Sequence, residues 1–139
     1  MLSPDYIFET SWEVCNRVGG IYAVLSTRAA SMQKEHPDKV IFFGPDFGAH
    51  SDHFFREDAS LLSAWVCRFR EAHADIPVRV GRWTVPGEPI AVLLRADALW
   101  AKKDSIYAWA WENFHVQSHA AYGDYDESSL FGYAAGMTM

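Results

Sequence analysis

The residues best suited to chemistry are Arg17-Val18-Gly19-Gly20-Ile21. Two glycines beside a basic residue are the local composition of an anion-binding turn. Glycine has no Cβ, so a ligand can approach its backbone closely. The amides that open a following helix attract a diphosphate with the help of the helix dipole. Arg17 adds a guanidinium able to hold a phosphate oxygen through two hydrogen bonds. The same residues also suit a plain strand-to-helix turn with a solvated arginine, and composition alone leaves both readings open.

Other polar groups carry less. His50 and His53 with Asp46 and Asp52 are metal-ligating types, but no second ligand cluster accompanies them, and a polar loop after a strand accounts for them. Glu112, His115 and His119 lack the spacing of a two-histidine metalloprotease helix and read as a polar surface. Tyr122-Gly123-Asp124-Tyr125-Asp126-Glu127 offers rings and carboxylates that could meet a sugar. Asp126 and Glu127 also suit the first turn of a helix, which is the expectation adopted. Trp100, Trp109 and Trp111 could form a carbohydrate platform, although aromatics at such spacings are expected in the core. Glu9 and Glu13 flank the end of the first strand, and nothing in the sequence makes them a catalytic pair.

These residues must be positioned by strands and helices legible from periodicity. Tyr6, Ile7, Phe8, Thr10, Trp12 and Val14 predict a first strand within 5–14 that runs into a turn. Ile21, Tyr22, Val24, Leu25, Ala29 and Met32 recur at helical spacing and predict a helix from about Gly20 to Lys34, ended by His36-Pro37-Asp38. Lys39 to Phe43, closed by Gly44-Pro45-Asp46, reads as a strand buried on both faces. Strand, glycine loop, helix and strand make a βαβ unit with a parallel sheet. Alternation over Ala64–Arg70 and over Val78–Trp83, followed by the Val85-Pro86-Gly87-Glu88-Pro89 turn and Ile90–Leu94, predicts strands of an antiparallel insertion. Helical spacing returns at Ile106, Trp109, Trp111 and Phe114, and again from Asp126-Glu127 to Ala135.

Composition bounds the rest. The 139 residues, half of them hydrophobic and 15% aromatic, can bury roughly two-thirds of their unfolded surface and exclude a disordered chain. The longest aliphatic run, Ile90 to Leu94, is far too short to span a bilayer. A net charge of −6 argues against binding a nucleic-acid backbone. Met1-Leu2-Ser3-Pro4-Asp5 has no basic, apolar signal pattern, and two isolated cysteines, Cys15 and Cys67, fit a reducing compartment, so the expected location is cytoplasmic. No metal or organic cofactor is called for. The apolar stretch up to Met139 reads as a cut through a domain.

Phe8 to Ala29, Phe-Glu-Thr-Ser-Trp-Glu-Val-Cys-Asn-Arg-Val-Gly-Gly-Ile-Tyr-Ala-Val-Leu-Ser-Thr-Arg-Ala, resembles the N-terminal signature of glycogen synthases, which lengthen α-1,4-glucans. Phe43-Gly44-Pro45-Asp46, Val80-Gly81-Arg82-Trp83 and Tyr122 to Tyr133 are similar to the same family in the same order. The resemblance implies a retaining glucosyltransferase of the GT-B type, with two Rossmann-like domains facing across a cleft that holds a nucleotide-diphosphate glucose and the glucan acceptor. Residues 1–139 would form part of the first domain: α/β, with a mostly parallel sheet and an antiparallel insertion. The family's roles near the donor phosphate carry over to Arg17, Gly19 and Gly20. Many bacterial synthases that use ADP-glucose have Lys-Thr-Gly-Gly-Leu there, whereas Arg17-Val18-Gly19-Gly20-Ile21 resembles the animal and fungal type that uses UDP-glucose. The family's catalytic histidine and acidic pair would fall beyond Met139, so these residues alone are expected to be inactive. An oligomeric parent enzyme is compatible with the resemblance. The alternative is a nucleotide- or glucan-binding module without catalysis.

Overall fold

The computed structural model describes residues 3–139. Met1 and Leu2, the start of the segment read as lacking a secretory signal, lie outside the described residues. Among the described residues no helix is long and apolar enough to cross a membrane.

Strand β1 (Ile7–Thr10) leads through a turn and the glycine loop into helix α1 (Gly20–Glu35), which returns to β2 (Val40–Pro45). A 3-10 turn over Gly48–His53 precedes β3 (Phe55–Glu57), helix α2 (Ser63–Ala72), β4 (Val78–Trp83) and β5 (Ile90–Leu94). A second 3-10 segment, Ala96–Lys102, continues into α3 (Lys103–Phe114), and α4 (Asp124–Met137) follows. The strands form one sheet in the order β1-β2-β5-β4-β3. β1, β2 and β5 are parallel, with Ile7 opposite Val40 and Ile41 opposite Ile90. β4 and β3 are antiparallel additions, with Val78 opposite Leu94 and Phe55 opposite Trp83. The fold is α/β with a mostly parallel core and an antiparallel insertion.

Every residue of β2 and β5 is buried, as continuous apolar runs require when helices cover both sheet faces. On one face Phe42, Ala91 and Leu93 pack with Leu25 and Ala29 of α1. On the other, Ile41, Phe43 and Val92 pack with Phe69 of α2 and with Leu130, Phe131 and Ala134 of α4. The turn between β4 and β5 lies against α1, and Gly87 is needed twice there. Its φ is +93°, and a Cβ would stand 2.8 Å from Ala30 Cα.

Residues 64–70 depart from the expected strand and form most of α2. The alternation of Trp65, Cys67 and Phe69 competes with a helical set, Leu62, Trp65, Val66 and Phe69, spaced i, i+3, i+4 and i+7. The helical set wins because its face packs on the sheet, with Trp65 stacked on Phe69 at 5.0 Å and Cys67 left exposed. The antiparallel insertion is therefore β3 and β4, and β3 was not anticipated. The first strand is also shorter than expected, because residues 11–15 turn over the end of β2.

Trp100, Trp109 and Trp111 are not core residues; each is about half exposed. α3 meets the core near Ile106, and residues 111–114 are exposed, so Trp109 rests against Phe114 and against Tyr133 of α4, and Trp111 against His115. α3 is instead tied to α4 by a polar network. The buried Asp126 carboxylate accepts from Tyr107 Oη at 2.6 Å and from Lys103 Nζ at 3.3 Å. Asp124, Asp126 and Glu127 do lie in the first turn of α4, but no side chain caps it, since the residue before it is Gly123 and the Asp126 carboxylate is engaged elsewhere.

The hydrogen bond from Tyr107, ahead of the one from Lys103, holds the Asp126 carboxyl below its ordinary value of 3.8. Burial, then the same hydrogen bond, raises the Tyr107 hydroxyl. A carboxyl lowered on folding stabilises the native state fully above its ordinary value, and that contribution disappears as pH falls through the native value. Tyr107→Phe leaves the carboxylate short of a donor and is expected to cost about 1–3 kcal/mol at neutral pH in denaturant titration. The difference from the parent protein should shrink on acidification below pH 3.8. A pH-independent difference would exclude the network as its source.

Candidate functional site

The parallel strands β1, β2 and β5 end on the same edge of the sheet, where open α/β sheets place their ligands. The chain leaving β1 is pinned over that edge. Ser11 N–H donates to the Phe43 carbonyl at 3.1 Å, and the Asn16 side-chain amide donates to the Trp12 carbonyl at 3.0 Å. Val14 is fully buried against Gly44, where a Cβ would collide with the Val14 carbonyl oxygen. Cys15 takes a positive φ of 55° and is buried. Burial pushes its thiol well above the usual range, so it stays protonated and is no nucleophile.

Beyond Asn16 the chain opens to solvent, and Arg17, Val18, Gly19 and Gly20 are all exposed. The Arg17 guanidinium lies 5.9 Å from the centre of the Tyr22 ring and has no carboxylate partner among the described residues. A Cβ on Gly20 would meet nothing within 4 Å, and one on Gly19 would come no closer than 3.6 Å to Glu13. Intramolecular packing thus gives no reason for glycine at either position, in contrast with Gly44 and Gly87. Arg17, Gly19 and Gly20 thus lie together on one exposed stretch of the loop.

One feature of this surface was not legible in sequence. Glu13, nearly buried, turns its carboxylate onto the start of α1, where Oε2 accepts the Gly19 and Tyr22 N–H groups, each at 2.8 Å. Of the amides that open the helix, those of Gly20 and Ile21 keep no intrahelical acceptor. Glu9 points elsewhere and pairs with Arg28 at 2.6 Å, so the two glutamates are not a facing pair. The missed signal is tertiary. A carboxylate six residues before Gly19 matches no local capping pattern.

At the same end of the strands lies a cleft of about 380 Å³ floored by Pro45 and Leu94 at the ends of β2 and β5. Trp12, Phe47 and Trp100 supply its aromatic walls, and Glu127 lies at its border. Asp46, also at the cleft, is buried and held by a two-point contact with Arg79 at 2.7 and 2.8 Å, while Asp52 takes the third guanidinium nitrogen at 2.8 Å. The hydrogen bonds that Arg79 donates to Asp46, ahead of the one to Asp52, raise the Arg79 pKa. These aspartates are thus structural partners of Arg79. His50 and His53 sit on the 3-10 turn with ring centres 6.3 Å apart, and both are exposed. Glu112, His115 and His119 are exposed, with His119 beyond the end of α3. Among the described residues no three His, Cys, Asp or Glu side chains converge as a metal site.

An exposed glycine loop and an aromatic cleft at the ends of the parallel strands, on an α/β sheet with an antiparallel insertion, are the setting for the comparison with known proteins. The sequence model described as "Glycogen synthase" matches residues 9–138. The chain belongs to the glycogen synthase family. It is 27% identical over 138 residues to "Glycogen [starch] synthase" of Dictyostelium discoideum, covering 99% of the chain and 15% of that protein. Against the liver protein of the same name from Homo sapiens the figure is 35% over 89 residues, covering 63% of the chain and 12% of the relative. The Neurospora crassa protein is 26% identical over 130 residues, covering 91% of the chain and 18% of its own length. The chain thus spans under a fifth of the length of these relatives. The family is one of glucosyltransferases, and the matched region includes both the glycine loop and the cleft.

The two classes of glycine make a direct test of this geometry. Gly44→Ala forces a methyl group onto the Val14 carbonyl and is expected to destabilise by about 1–3 kcal/mol in denaturant titration. Gly132→Ala, on the exposed face of α4 with open space around it, should instead gain about 0.5–1 kcal/mol.

Proposed function

We propose that the protein of this chain transfers glucose, with retention of configuration, from a nucleotide-diphosphate glucose to the end of an α-1,4-glucan in the cytoplasm. In this reading residues 1–139 form part of the first of two Rossmann-like domains and contribute Arg17, Gly19 and Gly20 to the donor site. The observation that carries it is the open surface made by Arg17, Gly19 and Gly20 at the carboxyl edge of the parallel strands, where no contact within the chain demands glycine. A diphosphate approaching there would meet the Gly20 and Ile21 amides and the guanidinium of Arg17. The Val18-Gly19-Gly20-Ile21 sequence favours UDP-glucose. The neighbouring cleft suits a glucan end: Trp100 and Phe47 offer apolar ring faces to the C–H surface of a pyranose, and Glu127 can accept from its hydroxyls.

Glucosyl transfer needs stabilised charge on the leaving diphosphate and a positioned acceptor hydroxyl. We propose that residues 1–139 supply only part of this, so a glucose-incorporation assay on them alone should give background. In the natural full-length protein, Arg17→Ala is expected to lower kcat/KM for the donor by about 10- to 150-fold, the loss of a charged hydrogen-bond donor worth about 1.5–3 kcal/mol. The parallel variant Trp100→Ala should raise KM for a maltooligosaccharide acceptor and leave the donor KM unchanged. An unaltered donor specificity constant in Arg17→Ala would remove the donor-site reading.

A further inference from the structure

From Arg17 to Gly20 the loop runs in solvent without a backbone ladder to hold it. Its flanks are anchored: Asn16 N–H reaches the Glu13 carbonyl at 3.4 Å, and Tyr22 packs edge-on against the buried Trp83 at 5.6 Å. Between these anchors, the Glu13 carboxylate is the only side chain among the described residues that takes a hydrogen bond from the loop backbone. It grips the Gly19 amide on one side of the turn and the Tyr22 amide on the other, both through Oε2. Two charge-assisted bonds to one oxygen fix the separation of the two amides. Tyr22 in turn carries the ring over which the Arg17 guanidinium rests. One carboxylate therefore sets both the shape of the glycine turn and the seat of its arginine.

Glu13 is itself rigidly held. Its N–H donates to Ser11 Oγ at 3.2 Å, and Val14 beside it is fully buried over β2. The carboxylate occupies part of the positive end of α1, so a bound anion would be left with the Gly20 and Ile21 amides and with Arg17.

We infer that Glu13 is the positioning residue of the donor-phosphate site: its carboxylate holds the glycine loop and Arg17 in the geometry that receives the diphosphate before any ligand arrives. The inference rests on the donor-site reading above. It assigns the preorganisation of that site to a carboxylate whose negative charge is stabilised by two amides and the helix end. Glu13 does not touch the reacting atoms in this scheme and acts through Gly19, Tyr22 and Arg17.

The test uses the natural full-length protein with UDP-glucose as the probe, comparing Glu13→Ala, Glu13→Gln and Arg17→Ala. Glutamine keeps a carbonyl that can accept both amides, whereas alanine keeps nothing. Glu13→Ala is expected to reduce kcat/KM for the donor by about tenfold or more, with the acceptor KM unchanged, and Glu13→Gln to recover most of the loss. Amide exchange at Gly19 and Tyr22 should quicken in Glu13→Ala and stay slow in Glu13→Gln. If Arg17→Ala is impaired while Glu13→Ala keeps parental donor kinetics, or shows only a lower Tm, the positioning role is overturned and the donor site stands. If neither Arg17→Ala nor Glu13→Ala alters donor kinetics, the donor-site reading falls and this inference with it.

Discussion

The structure depends first on the parallel pairing of β2 with β5, two strands buried along their whole length and covered by helices on both faces. Such a pair cannot face water on either side, so the chain must supply α1 on one face and α2 and α4 on the other. It also sets the location of the polar chemistry. Backbone groups along β2 and β5 are committed to the ladder, so ligand-facing groups must gather where the strands end. Asp46, Arg95 and the segment after β1 all emerge at that edge. β1 is placed by the same pair, since its register with β2 carries the loop over Gly44.

The glycine loop shows how a nearly free surface is built from buried supports. Val14 fits over Gly44 only because that glycine has no side chain, and Glu13 then turns toward the start of α1. The exposed residues 17–20 thus belong to a turn whose neighbours are fixed on the sheet. A solvent-exposed loop held in this way loses little conformational freedom when a ligand binds. The polar pairs around it have separate tasks. Arg79 joins β4 to the turn after β2 through Asp46 and Asp52, and Asp126 joins α3 to α4 through Tyr107.

The region matched by the glycogen synthase family, residues 9–138, contains both the glycine loop and the aromatic cleft. The chain covers 12% to 18% of the length of the relatives compared. The half-exposed Trp109 and Trp111 on α3 lie outside both the core and the cleft.

Sequence by itself determined the elements whose burial is two-sided or strongly periodic. β2 and β5 follow from unbroken apolar runs, α1 from a helical repeat ended at His36-Pro37, and the glycine loop from its composition between them. Local preference and tertiary packing agree in those segments. At 62–69 a two-residue and a helical period coexist, and only packing of Leu62, Trp65, Val66 and Phe69 on the sheet selects the helix. The tryptophans of 100–111 have the composition of a core, yet their exposure is decided by where α3 leaves the sheet. The role of Glu13 also lay beyond the sequence. Its hydrogen bonds exist only because the turn over Gly44 brings a carboxylate to a helix end nine residues away in the case of Tyr22. Hydrophobic period is a property of neighbours along the chain, whereas a carboxylate's partners are set by the direction in which the folded backbone points it.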